Sequence, residues 1–233
     1  MTLCAVGFDF DRTLGIDNSL ERRAFGRLAE RLGAPINTED AEHHKFIEAL
    51  LVPFRADLMP MSEMIAKFAV SLGPRTQLVD ANPDALAEEW RQICFSMVDD
   101  SVQTIPGAVE CVAGLVAEGI PVGILTNGWS PLQERKIARA LGVFPGPIVV
   151  SEAVGAYKPS AKAFLTLETA LGCDAADLWY VGDNPITDIS GAIAYGLRAI
   201  WFNSDRTTYP DGIAKPTAEI DNLADLPALV RGL

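Results

Sequence analysis

Short, unbroken apolar runs alternate along this chain with stretches whose apolar residues return every three or four positions. The runs are Leu3 to Phe8, Pro121 to Thr126, Ile148 to Ser151, Leu178 to Val181 and Ala199 to Phe202. A continuous run of this length suits a strand buried on both faces, as in a parallel sheet. The stretches Pro106 to Glu118, Pro131 to Leu141 and Ala161 to Leu171 predict helices, and Gly119, Gly142 and Gly172 stand at their ends. Glycine takes the left-handed turn that stops a helix without steric cost. Strands alternating with helices predict an α/β fold built on a doubly wound parallel sheet.

Residues 18–98 break this rhythm. Four helical stripes fill them: Phe25, Leu28 and Leu32; Phe46, Ile47, Leu50 and Leu51; Met64, Ile65, Phe68, Ala69 and Leu72; and Leu86, Trp90, Ile93 and Met97. All keep the spacing of one helix face. Pro53, Pro60, Gly73, Pro74 and Pro83 are expected to separate them. The pattern predicts a small α-helical bundle over residues 18–98, inserted into an α/β core of residues 1–17 and 99–233.

Composition narrows the function classes. At 233 residues, 49% hydrophobic and 21% charged, the chain has the make-up of a soluble globular protein. Its 19 Lys and Arg against 31 Asp and Glu give a net charge of −12. That balance argues against nucleic acid and anionic membrane surfaces, which are held by clustered cations. Cys4, Cys94, Cys111 and Cys173 form no CxxC pair and no zinc spacing, so free thiols are expected. The first apolar run is broken at once by Asp9 and is not preceded by a basic region, so neither a signal peptide nor a membrane span is expected. A cytoplasmic location follows as the expectation.

Four short segments carry candidate chemistry. In DFDRTL, Asp9 and Asp11 lie two apart where the first strand ends, and in extended backbone such residues point to one side. Two close carboxylates resist joint ionisation unless a cation or a shared proton intervenes. Sheets of this kind bind ligands at the carboxyl ends of their strands. The pair therefore suggests a metal site, an acid/base pair or both; the alternative is a turn that merely starts with aspartates. GILTNG delivers Thr126 and Asn127 to the end of a second strand. A hydroxyl, an amide and exposed N–H groups hold phosphate oxygens, although Asn-Gly is also a common turn pair. Lys158 is kept extended by Pro159 and would neutralise an anion there; taken alone, it reads as a surface lysine. GDNPITD places Asp183 after a strand and Asp188 near a helix start. That arrangement suits a divalent cation that keeps several waters, or, for Asp188, a helix N-terminus.

As an ordered set, DFDRTL, the Thr126-Asn127 turn, Lys158 before Pro159 and GDNPITD resemble the haloacid dehalogenase superfamily. The likeness is to its phosphatase branch with an α-helical cap inserted after the first motif. It covers residues 1–16 and 100–205, while the insert matches only in position and helicity. The resemblance implies a Rossmannoid core and a magnesium-dependent phosphatase acting on a small phosphate ester of the nucleotide, sugar phosphate or phosphoglycolate class. It implies Asp9 as a nucleophile that becomes an aspartyl-phosphate, and Asp11 as the acid that protonates the leaving oxygen and then activates water. Thr126, Asn127 and Lys158 would bind the phosphoryl group. Asp9, Asp183 and the backbone carbonyl of Asp11 would bind Mg²⁺, with Asp188 orienting the metal's waters or Lys158. The insert would close over substrate about the connections Leu14 to Asn18 and Asp99 to Ile105.

Arg12 departs from the motif, where a glycine or a small or polar residue is common. A true dehalogenase is the rival enzyme, but that branch commonly has Tyr where Asp11 stands, and its chemistry uses no metal. A phosphomutase and a non-catalytic binding protein share the fold. There is no Walker A loop and no GxGxxG. His43 and His44 are the only histidines; adjacent in a predicted helix, they form no catalytic triad and are expected on the solvated side, the alternative being a substrate contact from the insert. Arg22, Arg23 and Arg55 are read the same way, and Trp129 as either an entrance or a packing residue.

Overall fold

A computed structural model of the chain describes residues 5–17, 19–73 and 82–232. Leu3, Cys4, Asn18 and Pro74, named above, lie outside the described residues. The chain forms two compact units, one of Met1–Ile16 with Gln103–Leu233 and the other of Asp17–Val102.

The first unit is built on β1 (Ala5–Phe8), β4 (Val122–Thr126), β5 (Ile148–Val150), β6 (Leu178–Gly182), β7 (Arg198–Phe202) and β8 (Ala218–Ile220). These make one six-stranded parallel sheet in the order β5-β4-β1-β6-β7-β8. The chain winds outward from β1 to β4 and β5, then crosses back to β6 and winds the other way. Strand connections therefore diverge between β1 and β6, the crevice where such sheets take ligands. Every residue of β1, β4 and β6 is buried, as their unbroken apolar runs require. Alternate residues serve opposite faces. Ala5, Leu125, Tyr180 and Trp201 pack with Phe164 and Leu167 of α8 (Ala161–Leu171) and Ala192 of α9 (Gly191–Tyr195). Phe164 meets Tyr180 edge-on at 5.3 Å. Between β1 and β4, β2 (Gly15–Ile16) pairs antiparallel with β3 (Gln103–Thr104), so chain leaves and re-enters this unit through a two-rung ladder. The remaining helices of the unit are α5 (Ala108–Ala117), α6 (Leu132–Leu141), α7 (Ser151–Val154) and α10 (Leu226–Gly232). The predicted helix stops at Gly119, Gly142 and Gly172 all carry positive φ.

The second unit holds α1 (Leu20–Arg31), α2 (Ala41–Arg55), α3 (Met61–Ser71) and α4 (Pro83–Ser101). Asp40 accepts from the N–H groups of Glu42 and His43 to start α2, and Asn82 accepts from Asp84 to start α4. Several sequence expectations change. Pro53 lies inside α2, not between helices. It sits in the last turn, where the buried Phe54 anchors the helix and only its closing bonds are at stake. Ser151 belongs to α7, not to the strand before it. Phe46, one of the striped residues, is also 38% exposed, not buried with Ile47, Leu50 and Leu51. Arg22 is buried, not solvated: it donates to the Thr38 carbonyl and pairs with Glu39, tying α1 to the loop before α2, while Arg55 joins α2 to α1 through Glu21 and also pairs with Glu48.

Trp90 is fully buried at the centre of this bundle, with ring centroids 5.1 Å from Phe25 and 6.3 Å from Phe54. Trp90→Ala should cost about 3–5 kcal/mol, since it removes the largest side chain of the bundle and leaves a void. Urea unfolding followed by circular dichroism checks this, and a shift under about 1 kcal/mol would show that the bundle closes over the gap.

Candidate active site

The sheet gathers three of the predicted acids at the carboxyl ends of its central strands. Asp9 follows β1, Asp183 follows β6, and Asp188 lies in a six-residue π turn, Pro185–Ser190, that leads into α9. Carboxylate oxygens of Asp9, Asp183 and Asp188 fall within 4.8 Å of one another. Gly182 makes this approach possible: a Cβ there would lie 2.5 Å from the Asp188 side chain. Asn184, not Asp188, caps the turn, accepting from the N–H groups of Ile186 and Thr187. Asp188 is thereby turned inward, where its Oδ2 accepts from the Asn184 N–H at 3.0 Å.

Lys158 is the hub of the cluster and is almost fully buried. Its Nζ lies 2.6 Å from Asp9 Oδ1, 2.7 Å from Asp188 Oδ1 and 3.0 Å from the Tyr180 hydroxyl. The Tyr180 hydroxyl in turn donates to the Leu125 carbonyl at 2.8 Å. Asn127 clasps the Lys158 backbone from both sides, accepting from its N–H at 2.8 Å and donating to its carbonyl at 3.0 Å. The amide expected at the substrate thus fixes the lysine that would face it. Burial pushes the Lys158 ammonium down, but Asp188 and Asp9 outweigh it and hold its pKa above the ordinary value. Burial pushes Asp9 up, against the opposing pull of Lys158. Burial and the nearby Asp188 raise Asp183 to about 6, while Arg12 opposes them.

Arg12, the departure from the motif, adopts a left-handed backbone with φ 66°. Its Nε donates to Asp183 Oδ2 at 3.0 Å and its Nη2 to Asp205 Oδ2 at 2.6 Å. It therefore faces the acids and does not point away. The Asp183 carbonyl also accepts from the Trp201 indole at 2.8 Å. Asp11 turns its carboxylate away from the cluster to α6, where Lys136 and Gln133 receive it. Thr126 is buried and its hydroxyl accepts from Gln133 at 2.6 Å. Trp129 is buried, which makes it a packing residue. His43 and His44 sit in α2 of the other unit, the first half-buried and the second exposed.

Tyr180, Gln133, Lys136 and Asp205 are the site residues that sequence reading did not single out. The only signal for the α6 pair was two polar residues three apart on one helix face. Nothing local marks Asp205, which reaches the site through Arg12.

When all are ionised, three carboxylates against one ammonium leave a net charge of −2, because Arg12 and Asp205 offset each other. That donor set is all oxygen, which is what a hard divalent cation prefers. The cluster of Asp9, Asp183 and Asp188 therefore fits a hard divalent cation such as Mg²⁺.

No helix among the described residues is long and apolar enough to cross a membrane. Comparison with known proteins agrees with the geometry. Pyrimidine 5'-nucleotidase YjjG of Escherichia coli is 37% identical over 128 residues, 54% of this chain and 56% of that protein. The chain thus spans about half the length of this curated relative. Among solved structures, the hydrolase YfnB of Bacillus subtilis, determined with magnesium bound, superposes with a TM-score of 0.74 at 24% identity, covering 99% of this chain and 100% of that one. A 2-haloacid dehalogenase of Pseudomonas syringae pv. Tomato DC3000 gives a TM-score of 0.72 at 26% identity over the whole of both chains. The family model for haloacid dehalogenase-like hydrolases matches residues 5–196. Since that match takes in every strand but β8 and β7 and all the acids gathered at the β1–β6 crevice, the chain belongs to the haloacid dehalogenase-like hydrolases.

Proposed function

We propose that the chain is a magnesium-dependent phosphatase that hydrolyses small phosphate esters through an aspartyl-phosphate on Asp9. The observation that carries this reading is the massing of Asp9, Asp183 and Asp188 about a single lysine. Displacement of halide at carbon needs no divalent cation, and three clustered carboxylates would only repel a haloacid's own carboxylate. A phosphoryl dianion needs its charge neutralised, and a cation bound by these acids does so.

Asp9 attacks phosphorus in line as the bond to the ester oxygen breaks. Asp11 gives its proton to that oxygen, which leaves as the alcohol. In the second half, Asp11 takes a proton from water, whose oxygen attacks phosphorus and frees Asp9 and inorganic phosphate. Lys158 and Thr126 hold the equatorial oxygens, and positioning of this kind is most of what phosphoryl transfer requires. Asp9, Asp183 and the Asp11 carbonyl would hold Mg²⁺, which supplies positive charge against the phosphoryl oxygens when bound. Asp188 fixes Lys158. The relative's 5'-nucleotidase name favours nucleoside monophosphates as the first esters to test.

Release of phosphate from a panel of esters, and of chloride from 2-chloropropionate, tests the reading. Phosphate should appear only with Mg²⁺, chloride should not appear, and Asp183→Ala should lose both activity and metal binding. Undiminished hydrolysis in excess EDTA would refute the metal assignment. Because Asp183 titrates near 6 in the metal-free fold, protons compete with the cation below that pH. Its raised pKa also means that the metal-free fold loses stability as pH climbs from the ordinary 3.8 to about 6. Mg²⁺ should therefore raise the melting temperature at pH 7.5 and barely at pH 5.

A further inference from the structure

Beyond the acids at the strand ends, α6 carries two polar side chains that the fold buries. Lys136 and Gln133 are each no more than 3% exposed. Burying an ammonium is costly unless it is paired, and this one is placed 2.5 Å from Asp11 Oδ1. Its stem runs along the buried Phe10 ring, with the ammonium 5.7 Å from the ring centroid. Gln133 Nε2 lies 2.8 Å from Asp11 Oδ2, 2.6 Å from Thr126 Oγ1 and 3.3 Å from the Asn127 carbonyl. Gly128 makes room for it: with φ 150°, any Cβ there would come within 2.7 Å of the Gln133 Cγ. Gln133 thus donates to one oxygen of the Asp11 carboxylate, and the Lys136 ammonium from the same helix is ion-paired with the other. The same carboxylate keeps about a third of its surface open.

We propose that Lys136 and Gln133 are positioning residues that hold the Asp11 carboxylate where it serves the leaving oxygen and then the attacking water, and that Gln133 locks this orientation to the phosphate-binding Thr126. The inference rests on the reading of Asp11 as the acid/base of a phosphatase. A free aspartate samples several side-chain rotamers, and proton transfer succeeds only from one of them. Two donors from one rigid helix remove that freedom. The ammonium also stabilises the carboxylate that remains once the proton has gone to the leaving group. Misplacing a reacting group by about 1 Å costs up to about 100-fold, so loss of either donor should cost about 10- to 100-fold in the steps that use Asp11.

The test is a leaving-group comparison. Lys136→Met keeps the stem over Phe10, and Gln133→Ala attacks the same carboxylate from its other oxygen, so two variants guard against a misfolded one. Each is assayed beside wild type and Asp11→Asn, with melting curves to confirm the fold. p-Nitrophenyl phosphate releases a stable anion that hardly needs a proton; propyl phosphate releases an alkoxide that does. The first burst of p-nitrophenol should stay within about threefold of wild type in Lys136→Met; in Gln133→Ala, which also loses the Thr126 contact, it should fall less than turnover of propyl phosphate does. Their turnover of propyl phosphate and their aspartyl-phosphate hydrolysis should fall about 10- to 100-fold. Equal losses on burst and on propyl phosphate, with Asp11→Asn still selective between the esters, would overturn the inference and leave the phosphatase reading standing. An Asp11→Asn enzyme that turns over both esters as wild type does would overturn the reading of Asp11 and the inference with it.

Discussion

Asp9→Asn should yield a protein that folds as well as wild type and forms no phospho-enzyme. The attacking oxygen must carry negative charge, and the neutral amide oxygen of asparagine, though it still accepts hydrogen bonds, is too weak a nucleophile. Removing a covalent nucleophile typically costs about 10⁶-fold, so turnover should fall to background. Stability should not suffer in step. Asp9 is a buried carboxylate whose pKa is pushed up by burial, so its charge is costly to the fold. Asparagine keeps the shape and still accepts from Lys158, which retains Asp188 at 2.7 Å. The result expected from rapid mixing with p-nitrophenyl phosphate is no burst of p-nitrophenol, and no added phosphate on acid-quenched protein. Asp11→Asn supplies the contrast: it should show a burst near one equivalent, then slow turnover as water lacks its base. The two substitutions are chemically identical and two residues apart, so opposite outcomes locate the nucleophile by position alone. A burst from Asp9→Asn would move the nucleophile elsewhere.

The ends of β1, β4 and β6 were legible in the sequence because strands buried on both faces admit no charged residue and few polar ones. Asp9 and Asp183, the first charged side chains after such runs, and Thr126, the last residue of one, therefore stand at the strand ends, where the crevice lies. Helices were legible through periodicity, though Pro53 shows that a proline in a last turn does not divide two of them. β8 was invisible: three residues with one buried side chain carry no pattern. The identity of Lys158 as a buried hub was beyond any local reading. Its partners Asp9 and Asp188 are 149 and 30 positions away, so the charges that justify its burial are not in its neighbourhood of sequence. Lys136 hid for the same reason. A lysine on a helix looks solvated until the distant Asp11 is folded against it. What sequence patterns miss here is the class of polar residue whose burial is licensed by a remote opposite charge.

That dependence makes Lys158→Met the most damaging single change expected in the sheet unit. Methionine fills nearly the same volume, so the loss is electrostatic. Asp9 and Asp188, both with side chains no more than 8% exposed, would face each other without the ammonium. Removing one partner of a buried ion pair typically costs about 3–5 kcal/mol, because the other is left desolvated. Activity should fall by about 10³-fold or more, since the phosphoryl oxygens lose a preorganised donor and the attacking carboxylate loses its counter-charge. The deficit in stability should depend on pH in a set direction. Asp9, already raised by burial, rises further without Lys158, so the folded state binds its proton where the unfolded chain has released it. Stability then falls as pH climbs above the ordinary carboxylate value of 3.8, and the variant should approach wild type near pH 4. Mg²⁺ at neutral pH should recover part of the loss by replacing the missing positive charge. The double variant Lys158→Met/Asp188→Asn should recover stability without recovering activity, because it removes one of the two stranded charges but restores no phosphate donor. Melting curves across pH 4 to 8, with and without Mg²⁺, check the first two statements, and phosphate release checks the third. If Lys158→Met were as stable as wild type at pH 8 without metal, the buried ion-pair account of this hub would fail; if the double variant regained turnover, Lys158 would be a structural counter-charge with no part in holding phosphate.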